Sequence, residues 1–283
     1  MTRRQTLALG FGAIAAVGAG AQRFVSRSGN VDLRLKARRR GREPDAARVV
    51  EDELVWQAAK TAIIICDMWN DHYCFNAVTR LEAMIPHMNR VIAGARAQGV
   101  KIIHAPSTTM EFYAGTSQRQ RMLDAPQAEP PVPIAKWCYL DPKSEAALPI
   151  EDGDVPCDDL VGRERKPMYH RQHADLDISE EDGISDDGQE IFNYFEQTGV
   201  SNVALMGVHI NKCVLGRPFG IRQQVRLGKN VVLARDLTDS MYDPRDPPFV
   251  SHDRGTELVI EHVERHWCPT VLGVDLAGAG ELS

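Results

Sequence analysis

The stretch TAIIICD at residues 61–67 is an unbroken apolar run that ends on an acidic residue. Its β-branched residues favour a strand, and the lack of polar alternation is typical of a strand buried on both faces. The stretch NVALMGV at residues 202–208 has the same character. Strands of this kind predict a parallel sheet that is covered on both sides.

Helical patterns separate the strand-like stretches. Apolar residues recur at spacings of three and four between Leu81 and Ala95, and Gly99 follows as a stop signal. We expect further helices ending at Gly199 and over about 211–227 and 257–266, and strands near 100–104, 133–137, 230–234 and 271–274. The alternation predicts an α/β fold, doubly wound, with a mostly parallel sheet and helices on both faces.

The N-terminus has the features of an export signal. Residues 2–7 read TRRQTL and resemble the twin-arginine motif, and the apolar stretch 7–21 is shorter than the roughly 20 apolar residues that span a bilayer. We therefore expect a signal peptide at 1–21, a basic flexible tether at 22–53 and one folded domain at 54–283. The expected location is periplasmic or extracytoplasmic, with no stable membrane span after processing.

Charge is distributed unevenly along the 283 residues, whose formal net charge is −6. Residues 1–42 carry ten Lys or Arg against Asp32 alone, which leaves the remaining chain strongly acidic. Phosphates are repelled by an acidic surface, so nucleic acid is an unsuitable partner. The partner expected for this domain is a small-molecule substrate.

Cys213 stands out among six cysteines because it follows the 202–208 strand directly, where a helix is expected to begin. Free backbone N–H groups at such a place stabilise a thiolate and form an oxyanion hole. A buried structural cysteine is the alternative there. For the other five we expect buried thiols, although an even count in an exported chain also allows disulfides.

Asp67 ends the 61–66 strand, a position better suited to a site than to the core. In parallel sheets ligands bind at the carboxyl ends of strands, so Asp67 and the 208–213 turn are candidates for one site. The alternative role for Asp67 is to cap the loop that follows or to pair with a surface arginine.

The stretches IICDMWND at 64–71 and GVHINKCV at 207–214 together resemble the isochorismatase-like cysteine hydrolase superfamily over about residues 60–268. The resemblance implies a three-layer sandwich, a hydrolase, a catalytic set of Asp67, Cys213 and a lysine, and an oxyanion hole from the N–H groups of His209 and Cys213. It also implies a cis peptide at Val208–His209. Lys166 fits the lysine best by order and distance, with Lys136 and Lys143 as alternatives.

The implied reaction is cleavage of a small carboxamide or ureide through a thioester. Isochorismatase-type vinyl-ether hydrolysis, or a non-catalytic binding protein on the same fold, are the alternatives. Residues 104–108 read HAPST and lack the Asp-x-His segment of metal-dependent relatives, so we expect no metal and no other cofactor. Relatives are commonly oligomers, which implies a homo-oligomer. Aromatic residues expected to line the substrate pocket are Trp69, Tyr73, Trp137, Tyr169 and Phe219.

Export is testable through Arg3 and Arg4. The twin-arginine route depends on the arginine pair, so replacing both with lysine should leave the precursor in the cytoplasm. Fractionation of cells followed by immunoblotting measures the distribution. An unchanged extracytoplasmic yield from the double variant would contradict this assignment.

Overall fold

A computed structural model describes residues 31–41, 48–151, 153, 156–159, 166 and 168–278. The expected signal peptide at 1–21 lies outside the described residues. The strands are β1 (Asp32–Arg40), β2 (Val49–Gln57), β3 (Thr61–Cys66), β4 (Lys101–Ala105), β5 (Gly183–Ile184), β6 (Asn202–Val208), β7 (Asn230–Asp239) and β8 (Thr270–Val271). The α-helices are α1 (Phe75–Ala97), α2 (Ser117–Leu123), α3 (Gly188–Thr198), α4 (Ile221–Arg226), α5 (His252–His266) and α6 (Gly273–Ala277).

One eight-stranded sheet runs through the molecule in the order β2-β1-β8-β7-β6-β3-β4-β5. The strands from β8 to β5 are parallel to one another, and β1 is antiparallel to both β2 and β8. The expected mostly parallel α/β sheet is confirmed. Because β3 and β6 are neighbours, Asp67 and the turn after Val208 emerge side by side from the same edge.

Two hydrophobic cores cover the two faces of the sheet, as the doubly wound arrangement predicts. On β3, Ile64 and Cys66 point into a core shared with α3, α4 and α5. Ile63 and Ile65 point into the opposite core, which is formed with α1 and α6. Alternation of side chains along a strand explains why both sets must be apolar, since neither face of β3 meets water.

The prediction of a flexible tether at 22–53 is wrong for its described residues. Leu33 and Leu35 of β1 are almost completely buried against α1 and α6. The strand that begins at Asp32 is therefore part of the folded domain. The basic residues on the other face of β1 pair with acids of α5: Arg38 lies 2.9 Å from Glu257 and Arg40 lies 3.0 Å from Glu264. The positive charge of these two arginines is therefore neutralised within the fold.

Three further expectations are corrected. The helix expected over 211–227 is interrupted: a π-helical turn spans Ile210–Val214, and α4 begins only at Ile221. Pro218 lies in the break and cannot donate the backbone hydrogen bond that a continuous helix needs. The buried strand expected near 133–137 is irregular chain. Cys74 and Cys157, expected as thiols, form a disulfide that joins the start of α1 to residues 156–159.

Within the part of the chain that the structure describes, no helix combines the length and apolar character needed to cross a membrane.

Candidate active site

Asp67 lies where the carboxyl ends of β3, β4 and β6 meet. Its side chain is completely buried, and its backbone adopts a left-handed conformation with φ of 48°. The N–H of Ser107, two residues beyond β4, donates to Asp67 Oδ1 at 2.7 Å. Non-glycine residues rarely hold positive φ, and such strained positions concentrate at functional sites. The local backbone thus aims one carboxylate into the gap between three strand ends.

Cys213 faces this carboxylate from the π-helical turn after β6. Its thiol is half-buried and is hydrogen-bonded to Asp67. The peptide bond Val208–His209 is cis, as the family resemblance implies. His209 directly precedes the π-helical turn, and Cys213 is its next-to-last residue. The role of their backbone N–H groups as an oxyanion hole stays a prediction.

Gly207 allows β6 to approach β3 at this point. Its φ is 102°, and a Cβ atom there would lie 2.1 Å from the carbonyl oxygen of Cys66. Any side chain would therefore push the two strands apart. The glycine is needed for the spacing between Asp67 and the turn that carries Cys213.

The cation beside this pair is Arg217, where the sequence predicts Lys166. Arg217 Nε lies 3.3 Å from Asp67 Oδ2, and its guanidinium also hydrogen-bonds Cys213. Lys166 is exposed, and none of its contacts described here reaches Asp67 or Cys213; Lys136 and Lys143 are exposed as well. Arg217 follows Cys213 by four residues, a spacing that brings side chains together on one helical face. This four-residue spacing from Cys213 is the sequence feature from which Arg217 could have been predicted.

Burial dominates the acid–base properties of the site. Burial and the nearby Asp67 charge raise the pKa of Cys213 well above the usual thiol value, and Arg217 opposes this only partly. Burial also raises the pKa of Asp67, against the effects of Arg217, Cys213 and Ser107. Burial therefore disfavours the charged form of both groups, and the resting cysteine is a protonated thiol beside Asp67.

The aromatic residues expected around a pocket divide into four groups. Trp69, on the loop that follows Asp67, stacks on Tyr169 with 4.5 Å between ring centroids. Tyr73 packs at 4.3 Å against the ring of His72 on the same loop. Trp137 lies over the Arg217 guanidinium at 5.5 Å. Phe219 is completely buried in the core, so the structure gives it a packing role and not a place on the pocket wall.

A histidine cluster that sequence reasoning did not identify adjoins the site. The rings of His72 and His209 lie 5.1 Å apart, and both residues are buried. Behind them, Asp239 accepts from His252 Nε2 and Arg80 Nε, both at 2.8 Å. Burial, and then the neighbouring His72, lower the pKa of His209 to about 3. His209 is therefore a neutral imidazole at neutral pH.

The described residues contain one group with the spacing of metal ligands, formed by Cys74, Cys157 and Asp158. The two cysteines are joined in the disulfide, and Arg80 donates to Asp158 at 2.8 Å. Thiolates that ligate zinc must be unpaired, so this group does not fit a metal. His104, an isolated histidine in the sequence, is held between Gln172 at 3.0 Å and Asp182 at 3.1 Å.

Structural comparison aligns this chain with several solved proteins. A cysteine hydrolase from Pseudomonas syringae pv. phaseolicola 1448A aligns with 15% identity and a TM-score of 0.48, covering 78% of this chain and 92% of its own. An isochorismatase from Pseudomonas putida KT2440 aligns with 11% identity and a TM-score of 0.44, covering 77% and 90%. Pyrazinamidase of Pyrococcus horikoshii, solved in complex with zinc, aligns with 15% identity and a TM-score of 0.41, covering 75% and 99%.

No protein-family model matches the sequence, and no curated protein matches it.

The identity of the site cation is testable by alkylation of Cys213. Arg217 lowers the thiol pKa, so Arg217→Met should raise it and slow the reaction with iodoacetamide at pH 7 by about tenfold or more. Lys166→Met is the matched control and should leave the rate unchanged, because Lys166 is exposed. Peptide mass spectrometry assigns the label to Cys213. Slowing by Lys166→Met with none by Arg217→Met would return the role to the lysine.

The buried His209 predicts a pH dependence of stability. Its folded pKa of about 3 lies below the unfolded value of roughly 6.5, so the unfolded state binds the extra proton. The contribution of neutral His209 to the free energy of unfolding is fully present above pH 6.5. It is lost as the pH falls, with a slope that approaches about 1.4 kcal/mol per pH unit. Urea unfolding between pH 7 and 5 measures it.

His209→Asn should reduce that slope, and His170→Asn controls for the loss of an exposed imidazole. The window above pH 5 avoids the carboxyls of Asp239 and Glu145. Burial disfavours the charge of each, but their hydrogen-bond donors outweigh it, so the pKa of each lies near about 2. Their contributions are lost only below about pH 4. An unchanged slope in His209→Asn would contradict the assignment.

Proposed function

We propose that this protein is a cysteine-dependent hydrolase that cleaves the C–N bond of a small carboxamide or ureide through a thioester. The observation that carries the proposal is the contact of one buried carboxylate, Asp67, with both the Cys213 thiol and the Arg217 guanidinium. A nucleophile, a base within hydrogen-bonding reach and a fixed positive charge are the components of covalent acyl transfer.

The first half of the reaction begins with a substrate carbonyl carbon near Cys213. Asp67 takes the thiol proton as the sulfur attacks the carbonyl, and a tetrahedral oxyanion forms. The N–H groups of His209 and Cys213 are the proposed donors to that oxygen. When the C–N bond breaks, the amine leaves with the proton that Asp67 returns, and the acyl group remains on sulfur as a thioester.

The second half uses water as the nucleophile. Asp67 takes a proton from the water, the hydroxide adds to the thioester carbonyl, and the C–S bond breaks. The acid is released and the thiol regains a proton. Arg217 stays charged throughout, because Asp67 and Cys213 raise its pKa above the normal arginine value despite burial. Every proton transfer is therefore assigned to Asp67.

The loop after Asp67 is the proposed position of the substrate. Trp69 and Tyr169 supply flat apolar surface there, and neutral His209 supplies a polar edge without charge. These groups support a small, planar amide. Vinyl-ether hydrolysis gains no specific support, since that chemistry does not need the thiol that Asp67 contacts.

We also propose that the mature protein works outside the cytoplasm. Disulfides persist in oxidising compartments and are rare in the cytosol. The disulfide Cys74–Cys157 supports this location together with the twin-arginine-like sequence at residues 2–7.

Loss of the nucleophile tests the proposal. In a screen of amides and ureides on the purified protein, Cys213→Ala and Asp67→Asn should each reduce turnover by several orders of magnitude. The double variant should lose little more than either single variant, because the two groups act as a unit. Thermal unfolding confirms that each variant is folded. Full turnover by Cys213→Ala on a substrate found in the screen would refute the cysteine mechanism.

A further inference from the structure

Arg217 needs a support, because a long arginine side chain has several rotatable bonds and only part of its surface is buried. Its side chain is 23% exposed, and its Nε–Asp67 contact at 3.3 Å is long for a charged hydrogen bond. A guanidinium held only by this contact and its hydrogen bond to Cys213 would sample other positions. The reaction proposed above requires it to remain beside Cys213 in each step.

Trp137 provides the second surface that the guanidinium touches. Its ring centroid lies 5.5 Å from Arg217 Cζ, within the range of a cation–π contact. The indole also packs on Gly216, where a Cβ atom would lie 2.6 Å from the ring atoms Cε2 and Cζ2. Arginine is planar and stacks well on aromatic rings, so the contact fixes orientation as well as position.

The segment that carries Trp137 is itself anchored. The N–H of Cys138 donates to the Gly216 carbonyl at 2.7 Å, and Arg222 Nη1 donates to the Cys138 carbonyl at 3.0 Å. On the other side of the indole, the N–H of Ala135 donates to Gln223 Oε1 at 3.1 Å. The irregular segment is thus hydrogen-bonded to α4 at residues on both sides of Trp137 in the sequence. These hydrogen bonds fix the position of the indole ring.

We propose that Trp137 is a positioning residue, whose indole ring holds the Arg217 guanidinium against Asp67 and Cys213. The inference rests on the proposed function, because it takes Arg217 as the cation of that catalytic pair. In this role Trp137 acts through Arg217 and not on the substrate directly. This role differs from the pocket-lining role that the sequence predicted for Trp137. Since Arg217 lowers the pKa of Cys213, a displaced guanidinium leaves the thiol harder to ionise.

The experiment follows the rate of Cys213 alkylation by iodoacetamide from pH 6 to 10, which needs no substrate. Because the pKa of Cys213 lies well above the usual thiol value, Trp137→Leu should shift the profile to higher pH and slow the reaction about tenfold throughout this range. Trp137→Phe keeps an aromatic face and should shift the profile less. Tyr139→Leu, an exposed aromatic two residues away, is the matched control and should leave the profile unchanged.

A double-variant cycle separates positioning from general damage. In an Arg217→Met background, Trp137→Leu should change the rate by less than about twofold, because the group it positions is gone. An unshifted profile for Trp137→Leu would overturn the inference. So would a slowing that persists at its full size in the Arg217→Met background.

Failure of the proposed function has a different signature. Cys213 would then react no faster than the buried Cys138 and Cys268 in the unsubstituted protein, and Arg217→Met would leave its rate unchanged. A reactive, Arg217-dependent Cys213 with a normal profile in Trp137→Leu leaves the proposed function standing and overturns only the positioning role.

Discussion

The carboxylate of Asp67 is the constraint on which the rest of the site depends. It is completely buried, and a buried charge is tolerated only when hydrogen bonds and an opposite charge compensate for lost water. Ser107 supplies the N–H, Arg217 supplies the charge and Cys213 supplies a further hydrogen bond. These partners come from two segments, one after β4 and one after β6, which meet Asp67 only because the parallel strands end at one edge. The sheet topology and the electrostatic requirement of one side chain therefore specify the same arrangement.

This arrangement explains how a thiol can be both protected and usable. Burial raises the pKa of Cys213, so the resting sulfur is protonated and resists adventitious electrophiles. The acceptor for its proton is already in hydrogen-bond contact, so the thiolate forms only as the proton moves within the pair. An arginine suits this design better than a lysine would. Its proton stays in place, which keeps the charge constant while Asp67 alternates between base and acid in the proposed reaction.

The sequence predicted the parts of the fold and site that depend on local patterns. The β3 and β6 runs, and the Asp67 and Cys213 positions after them, follow from apolar continuity and the geometry of parallel sheets. What failed depends on distant partners. The basic β1 gave no sign that acids of α5, more than 200 residues later, neutralise it. Lys166 matched the family pattern by its order along the chain. Arg217 instead lies beside Asp67 and Cys213 because it follows the π-helical turn that carries Cys213.

The proposed catalytic groups and the proposed substrate surface lie on different parts of the chain. Asp67, Cys213 and Arg217 lie at or just after strand ends, and irregular chain anchored on α4 packs against Arg217 through Trp137. The aromatic surface instead belongs to loops: Trp69 stacks on Tyr169, whose neighbours donate backbone N–H groups to Asn70 and Asp71. The disulfide at Cys74 fastens residues 156–159 to the end of that loop. Rigid elements preserve the distances that proton transfer needs, while loops can change without disturbing them. Under the proposed function, the catalytic groups define a reaction class, and residues 68–73 and 168–173 are the proposed determinants of substrate choice.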